Sequence, residues 1–147
     1  MRILALSTLR TFWEQPKYKD AEQPLKAWYD EAKHAIWQKP QNIKDKYRNA
    51  IFIADNRVVF NIHGNKYRLI VVLWEAQPNT PKGDEFEILA TLIHVYENEH
   101  CPIDAPDPVE AIKFRMEQQG LEDIDLVPML GQRSRVTEIL KNNENSV

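Results

Sequence analysis

Hydrophobic positions along this chain change period twice. Over residues 56–73 they alternate: the β-branched and aromatic runs Arg57–Ile62 and Lys66–Leu73 flank His63-Gly64-Asn65, whose Gly and Asn tolerate the positive φ of a tight loop. The pattern predicts a β-hairpin. Val58, Phe60 and Ile62 share one face with Tyr67, Leu69 and Val71, which makes that face wholly apolar. The opposite face sets Asn61, Lys66 and Arg68 among Arg57, Val59, Ile70 and Val72. This polar and basic patch reads either as a solvated sheet edge or as an anion site for a nucleic-acid backbone.

Upstream of the hairpin the period is helical. Met1–Leu6 reads as a short buried strand, and Ser7 then caps a helix whose stripe is Leu9, Phe12 and Trp13. A turn over Tyr18–Asp20 leads into a helix from Ala21 to about Gln38, with Pro24 in its first turn and Leu25, Trp28, Tyr29, Ala32, Ala35 and Ile36 at helical spacing. His34 lies on the polar side of that helix as a solvated residue. Pro40 opens a further helix over Gln41–Arg48, burying Ile43 and Tyr47 and turning Lys44, Lys46 and Arg48 outward. Asn49–Ile53 is a strand, turned into the hairpin at Ala54-Asp55-Asn56. The fold class is α+β, a small sheet with helices on one face followed by an all-α segment.

Downstream, Asn79–Gly83 reads as a loop before a helix that runs to about Glu99 with Asp84 and Glu85 at its positive end. Phe86, Ile88, Leu89, Leu92, Ile93 and Tyr96 are its expected buried face. Asp107-Pro108-Val109-Glu110 marks another helix start, with an N-cap, a proline at the first helical position and an acid at the third; Gly120 stops that helix. Two short helices follow across Gly131. Ile124, Val127 and Leu130 pack the first; Val136, Ile139 and Leu140 pack the second. This pair reads as an ordinary helical hairpin or as a helix-turn-helix over 121–142 that presents Gln132, Arg133, Ser134, Arg135 and Thr137 to phosphates and base edges.

Charge divides the chain at the same place. Residues 1–73 hold 13 Lys and Arg against 7 Asp and Glu, a net of +6, whereas residues 74–147 hold 6 against 15, a net of −9. A basic half suits a polyanion and an acidic half could compete for it; two unrelated solvated surfaces are the alternative. The single Cys101 excludes an intrachain disulfide framework, and the four histidines show no metal-ligand spacing, so no metal or cofactor is expected. No apolar run reaches membrane-spanning length. A cytoplasmic protein without a membrane partner is expected.

Met1-Arg2-Ile3, Leu9-Arg10-x-Phe12-Trp13, Gln23-Pro24-Leu25-x-x-Trp28-Tyr29-x-x-Ala32 and Arg57-Val58-Val59-Phe60-Asn61-Ile62-x-Gly64-Asn65-Lys66-Tyr67-Arg68-Leu69 resemble the HigB family of toxins, over residues 1–72. The resemblance implies a RelE-like mRNA interferase that cleaves messenger RNA on the ribosome without a metal, with Asn61, Lys66 and Arg68 as catalytic candidates that hold and polarise the scissile phosphate. Arg57, Lys46 and Arg48 are further RNA-binding candidates. The Thr-His and Tyr-Asp segment with which that family ends its last strand has no counterpart here. Thr91, His94 and Tyr96 do not replace it, because they fall in a helix-period stretch.

Leu73-Trp74-x-Ala76-x-Pro78-x-Thr80-Pro81-x-Gly83-Asp84-Glu85-Phe86, Ala111–Leu121 and Asp125-Leu126-Val127-Pro128-x-Leu130-Gly131-x-Arg133-Ser134-Arg135-Val136-x-Glu138-Ile139-Leu140 are similar to the HigA antitoxin family. That similarity implies a dimeric operator-binding module over 73–147, with Arg133, Ser134, Arg135 and Thr137 entering the major groove. Further helices close the domain in that family, and the polar 141–147 tail is not expected to cover Val136, Ile139 and Leu140.

The combined expectation is a toxin–antitoxin hybrid: an RNA-binding module with weak or absent cleavage, fused to a partial DNA-binding module, with the acidic Asp84–Glu99 helix covering the basic hairpin as an internal inhibitor. Its partners would be RNA or the ribosome, operator DNA, a cognate toxin or antitoxin, and a second copy. The alternatives are a helix-turn-helix regulator of a toxin–antitoxin operon and an inactive recombined remnant that still binds a toxin or antitoxin.

Overall fold

Among the described residues, a three-stranded antiparallel sheet in the order β1-β2-β3 is covered by helices on one side. It is formed by β1 (Ile51–Ile53), β2 (Arg57–Ile62) and β3 (Tyr67–Val72). This computed structural model describes residues 6–37, 39–73 and 79–141. The register pairs Val58 with Val71, Phe60 with Leu69 and Asn61 with Arg68, as the alternation predicts. Val58, Phe60 and Ile62 are fully buried on the covered face. Positive φ at His63, Gly64 and Asn65 closes the hairpin, with Lys66 N donating to His63 O at 3.0 Å. Lys66 therefore belongs to the turn, and β3 starts one residue later than the sequence suggests.

The covering helices are α1 (Leu6–Trp13), α2 (Glu22–Lys33) and α3 (Pro40–Lys46), with a 3₁₀ helix over Pro16–Ala21. The predicted strand over Met1–Leu6 falls outside the described residues except for Leu6, which is helical, so Ser7 lies inside α1 and not at its cap. α2 ends at Lys33, earlier than predicted. Beyond it Ile36 is exposed, while Trp37 turns back onto the core and stacks on Phe60 at 5.7 Å. Ile43 and Tyr47 are buried as expected, and Tyr47 lies edge-on to Phe60 and Trp37.

The core does not end with the hairpin. Helix α5 (Pro108–Gln119) packs along α2, inserting Phe114 into the cluster that holds Trp28, Tyr47 and Phe60. Arg115 forks between Glu31, which also accepts from the Tyr47 hydroxyl, and the carbonyl of Lys46. The start of α5 is built as its sequence predicts: Asp107 Oδ1 accepts from the amides of Val109 at 2.9 Å and Glu110 at 3.1 Å. Its end is a Schellman turn on Gly120, at φ 64°, with Leu121 N bonded to Met116 O. Replacing Asp107 with Ala should cost about 1 kcal/mol in urea unfolding, the usual value of a lost N-cap.

Helix α4 (Pro81–His100) begins earlier than predicted, because Thr80 caps it by accepting from Gly83 N and Pro81 occupies the first helical position. Only its Gly83, Ala90 and Glu97 are buried. Ile88, Leu89, Leu92, Ile93 and Tyr96, five of the six residues expected to pack inward, face solvent, as does Val95, and Phe86 is half-buried. Beyond α5, a 3₁₀ turn over Asp123–Leu126, α6 (Val127–Leu130) and α7 (Arg133–Lys141) enclose a second small cluster of Met116, Leu126 and Val136. The 3₁₀ turn shifts the helical phase, so Leu126 is buried and Ile124 exposed, the reverse of the expectation. Val136 is 0% exposed and Leu140 packs beside it; Met116 and Leu126 supply the cover that the tail was not expected to give. No helix among the described residues is long and apolar enough to cross a membrane.

Candidate nucleic-acid interface

The face of the sheet turned away from the helices is open. By register it carries Ile51 and Ile53 from β1, Arg57, Val59 and Asn61 from β2, and Arg68, Ile70 and Val72 from β3. Ile70 and Val72 are 58% and 60% exposed. Asn61 and Arg68 sit directly across from one another at the hairpin end of this face. Arg68 is exposed and makes no ion pair or hydrogen bond with the described residues that would neutralise it, whereas Asn61 Oδ1 is buried and accepts no hydrogen bond from them. A buried acceptor without a donor beside an unneutralised guanidinium is an arrangement that an external ligand can satisfy.

Beyond the end of β1, the main chain of β2 is capped by α5. Gln118, 2% exposed, donates from Nε2 to Asn61 O at 2.8 Å and accepts at its own carbonyl from Arg48 N at 3.3 Å. Gln119 meanwhile donates to the carbonyls of Asp45 and Lys46. This bracket ties the end of α3, with the exposed side chains of Lys46 and Arg48, to the Asn61–Arg68 corner. The structure thus gathers Asn61, Arg68, Arg48 and Lys46 at one end of the sheet. Sequence reasoning missed Gln118, because nothing local to Gln118-Gln119-Gly120 signals a contact 57 residues away.

Two predicted residues lie elsewhere. Arg57 sits four residues along β2, about 13 Å from Asn61; it is bound to Asp55 at 2.8 Å and to the carbonyl of Ala54 in the preceding turn. Lys66 leaves the corner for Asp20, its Nζ 2.5 Å from Asp20 Oδ2, while the Tyr67 hydroxyl donates to Oδ1 at 2.8 Å and His63 Nε2 lies 3.5 Å away. Hydrogen bonds from Lys66 and Tyr67 hold the Asp20 carboxyl below the ordinary aspartate range, and Asp20 in turn raises Lys66. Because Asp20 is depressed in the fold, this tie is fully present above the unfolded carboxylate value of about 3.9 and is lost as pH falls through the lower folded value. Side-chain NMR of Lys66 should show its ammonium released only under those acidic conditions, and released at neutral pH in Asp20→Asn.

Gln132, Arg133, Ser134 and Arg135 are exposed at the start of α7. Neither arginine forms an ion pair with the described residues. Thr137 is half-buried and donates its hydroxyl back to Arg133 O at 3.1 Å. Leu126, Val136 and Leu140 hold α7 against the preceding turn and α5, so its arginine-bearing side faces outward from an anchored helix.

A family match covers the stretch from α2 through the hairpin. Residues 21–74 match the HigB toxin family, the RelE-like toxic component of a toxin–antitoxin system. No curated protein and no solved structure matches the chain. The HigB-like module thus includes α2, α3 and all three strands, and within it Asn61, Arg68, Lys46 and Arg48. Phe114 and Gln118, which complete its core and its corner, come from outside the matched range.

Proposed function

We propose that this protein is a toxin–antitoxin-derived RNA binder that holds single-stranded RNA across the Asn61–Arg68 corner and cleaves it weakly or not at all. The observation that carries the reading is the cross-strand pair itself: an exposed, unneutralised Arg68 beside a buried acceptor on Asn61, on the open sheet face of a HigB-like module. Arg68 offers a two-pronged donor to a phosphate, and the Asn61 oxygen, once its side chain turns outward, accepts from a ribose 2′-OH or a base N–H. Lys46 and Arg48 extend the positive surface along the backbone path.

Cleavage asks for more. Attack of the 2′-oxygen on the phosphorus needs a group to take its proton and another to protonate the departing 5′-oxygen. The strand positions of the open face supply Asn, Arg and aliphatic residues only, while Lys66 and Tyr67 are hydrogen-bonded to Asp20 and His63 lies beside it in the turn. Arg68 alone can stabilise charge on the phosphate but moves no proton at neutral pH. Cytoplasmic action on messenger RNA or the ribosome, and recognition of a cognate toxin or antitoxin, belong to the same proposal.

A second reading draws on α7. Anchored by Val136, with Arg133 and Arg135 free of acidic partners among the described residues, α7 supports a partial helix-turn-helix that contacts operator DNA within an antitoxin-like segment from residue 73 onward.

Inducing the chain in a bacterial culture beside Arg68→Ala tests the activity directly. Similar growth of both, with soluble folded protein, is the expected result. Arrest by the parent chain that disappears with Arg68→Ala would show a working ribonuclease and contradict the weak-cleavage reading.

A further inference from the structure

Two apolar surfaces of this chain are unpartnered at the same time, and their charges are opposite. On α4, Gly83, Ala90 and Glu97 recur every seven residues and are buried. The opposite side of the helix presents Ile88, Leu89, Leu92, Val95 and Tyr96, with Glu85 one turn before and Glu99 one turn after. Leu92, at the centre, is 62% exposed. The open sheet face has the matching layout: Ile51, Ile53, Ile70 and Val72 in the middle, Arg57 at one end and Arg68 at the other.

Nothing among the described residues joins them. The covering role expected for α4 within one molecule does not occur, since its apolar stripe and the sheet face are both solvent-exposed. We propose that the occupant of the sheet face is α4 of a second copy, and that the contact is made twice, each protomer laying its α4 on the other's sheet. A two-fold arrangement of this kind closes on itself and uses both exposed surfaces of both chains. A helix-on-helix dimer of α4 is disfavoured by charge, because it brings Glu85 and Glu99 of one copy against those of the other in either orientation, whereas the sheet meets them at one end with Arg68, which has no acidic partner among the described residues, and at the other with Arg57, which would have to exchange Asp55 for the incoming glutamate. Glu85 and Glu99 lie about 21 Å apart along the helix axis, a span that the long Arg57 and Arg68 side chains can bridge from the two ends of the strand.

This inference rests in part on the proposed RNA site, because Arg68 lies in both surfaces. The second copy would occupy the corner that RNA needs, so self-association and RNA binding exclude each other.

The test uses the full chain, with Leu92→Asp on the helix and Ile70→Asp on the sheet, both checked for folding by circular dichroism. Sedimentation equilibrium should find the parent chain dimeric at tens of micromolar, as expected of a standard-sized interface. Each variant alone should be monomeric, and an equimolar mixture should regain a heterodimer through its one intact helix-on-sheet contact. A monomeric parent, an Ile70→Asp chain that stays dimeric, or assembly that grows beyond the dimer would overturn the proposal. Binding of a fluorescein-labelled single-stranded RNA, followed by anisotropy, then separates the two claims. Tighter binding by Leu92→Asp than by the dimeric parent supports exclusion, and equal binding by the two overturns it. A dimer that behaves as described, with no RNA binding by either chain, refutes the RNA reading and leaves the interface standing.

Discussion

Phe114→Ala should destabilise the whole protein by about 3–5 kcal/mol, the usual cost of deleting a buried phenyl ring. Phe114 lies outside the residues matched to the HigB family, yet its ring packs edge-on to Tyr47 at 6.5 Å within the cluster that holds Trp28 and Phe60. Loss of the ring leaves a void between α5 and the helices over the sheet, and α5 has few other apolar anchors there. Urea unfolding followed by tryptophan fluorescence measures the effect, because Trp28 and Trp37 report from the same cluster. A large loss that shifts the fluorescence transition means that α5 is part of the core of the HigB-like module. A loss under about 1 kcal/mol would mean that the module is stable without α5 and that the packing seen along α2 contributes little.

Arg68→Ala should weaken single-stranded RNA binding by 10- to 100-fold, corresponding to the roughly 1.5–3 kcal/mol of a charge-assisted hydrogen bond. Stability should barely change, because the side chain is exposed and bonds no other side chain among the described residues. Arg68→Lys keeps the charge but loses the planar fork, so it should recover only part of the affinity. Raising the salt concentration should weaken the parent more steeply than Arg68→Ala, since one phosphate contact fewer releases one counterion fewer. Equal affinity of all three chains would remove the corner from the RNA-binding surface.

How far the sequence carries these conclusions depends on the range of each interaction. The hairpin was legible because period-two alternation and the His63-Gly64-Asn65 turn are local, and the register that follows from them places Asn61 opposite Arg68. The start of α5 was legible for the same reason: Asp107, Pro108 and Glu110 satisfy one another within a single turn. The equivalent Thr80-Pro81 start of α4 was hidden by Gly83, a residue that ordinarily signals a loop and here lies in the first helical turn. Periodicity located a stripe on α4 but could not say what covers it; the inward side turned out to be the small residues Gly83 and Ala90 with Glu97. Strand alternation put Lys66 beside Arg68. The turn breaks that alternation, and Asp20, 46 residues earlier, draws the ammonium away. The Gln118 bracket and the Phe114 contact join parts of the chain far apart in sequence, where no local pattern operates.

The most direct measurement is anisotropy of labelled single-stranded RNA and of labelled duplex DNA, titrated with the parent chain, Arg68→Ala and the double variant Arg133→Ala/Arg135→Ala. The account predicts RNA binding that falls at least tenfold with Arg68→Ala and is unchanged by the double variant. RNA binding indifferent to Arg68, or duplex binding alone that collapses with the double variant, would contradict it and move the function from the sheet corner to α7.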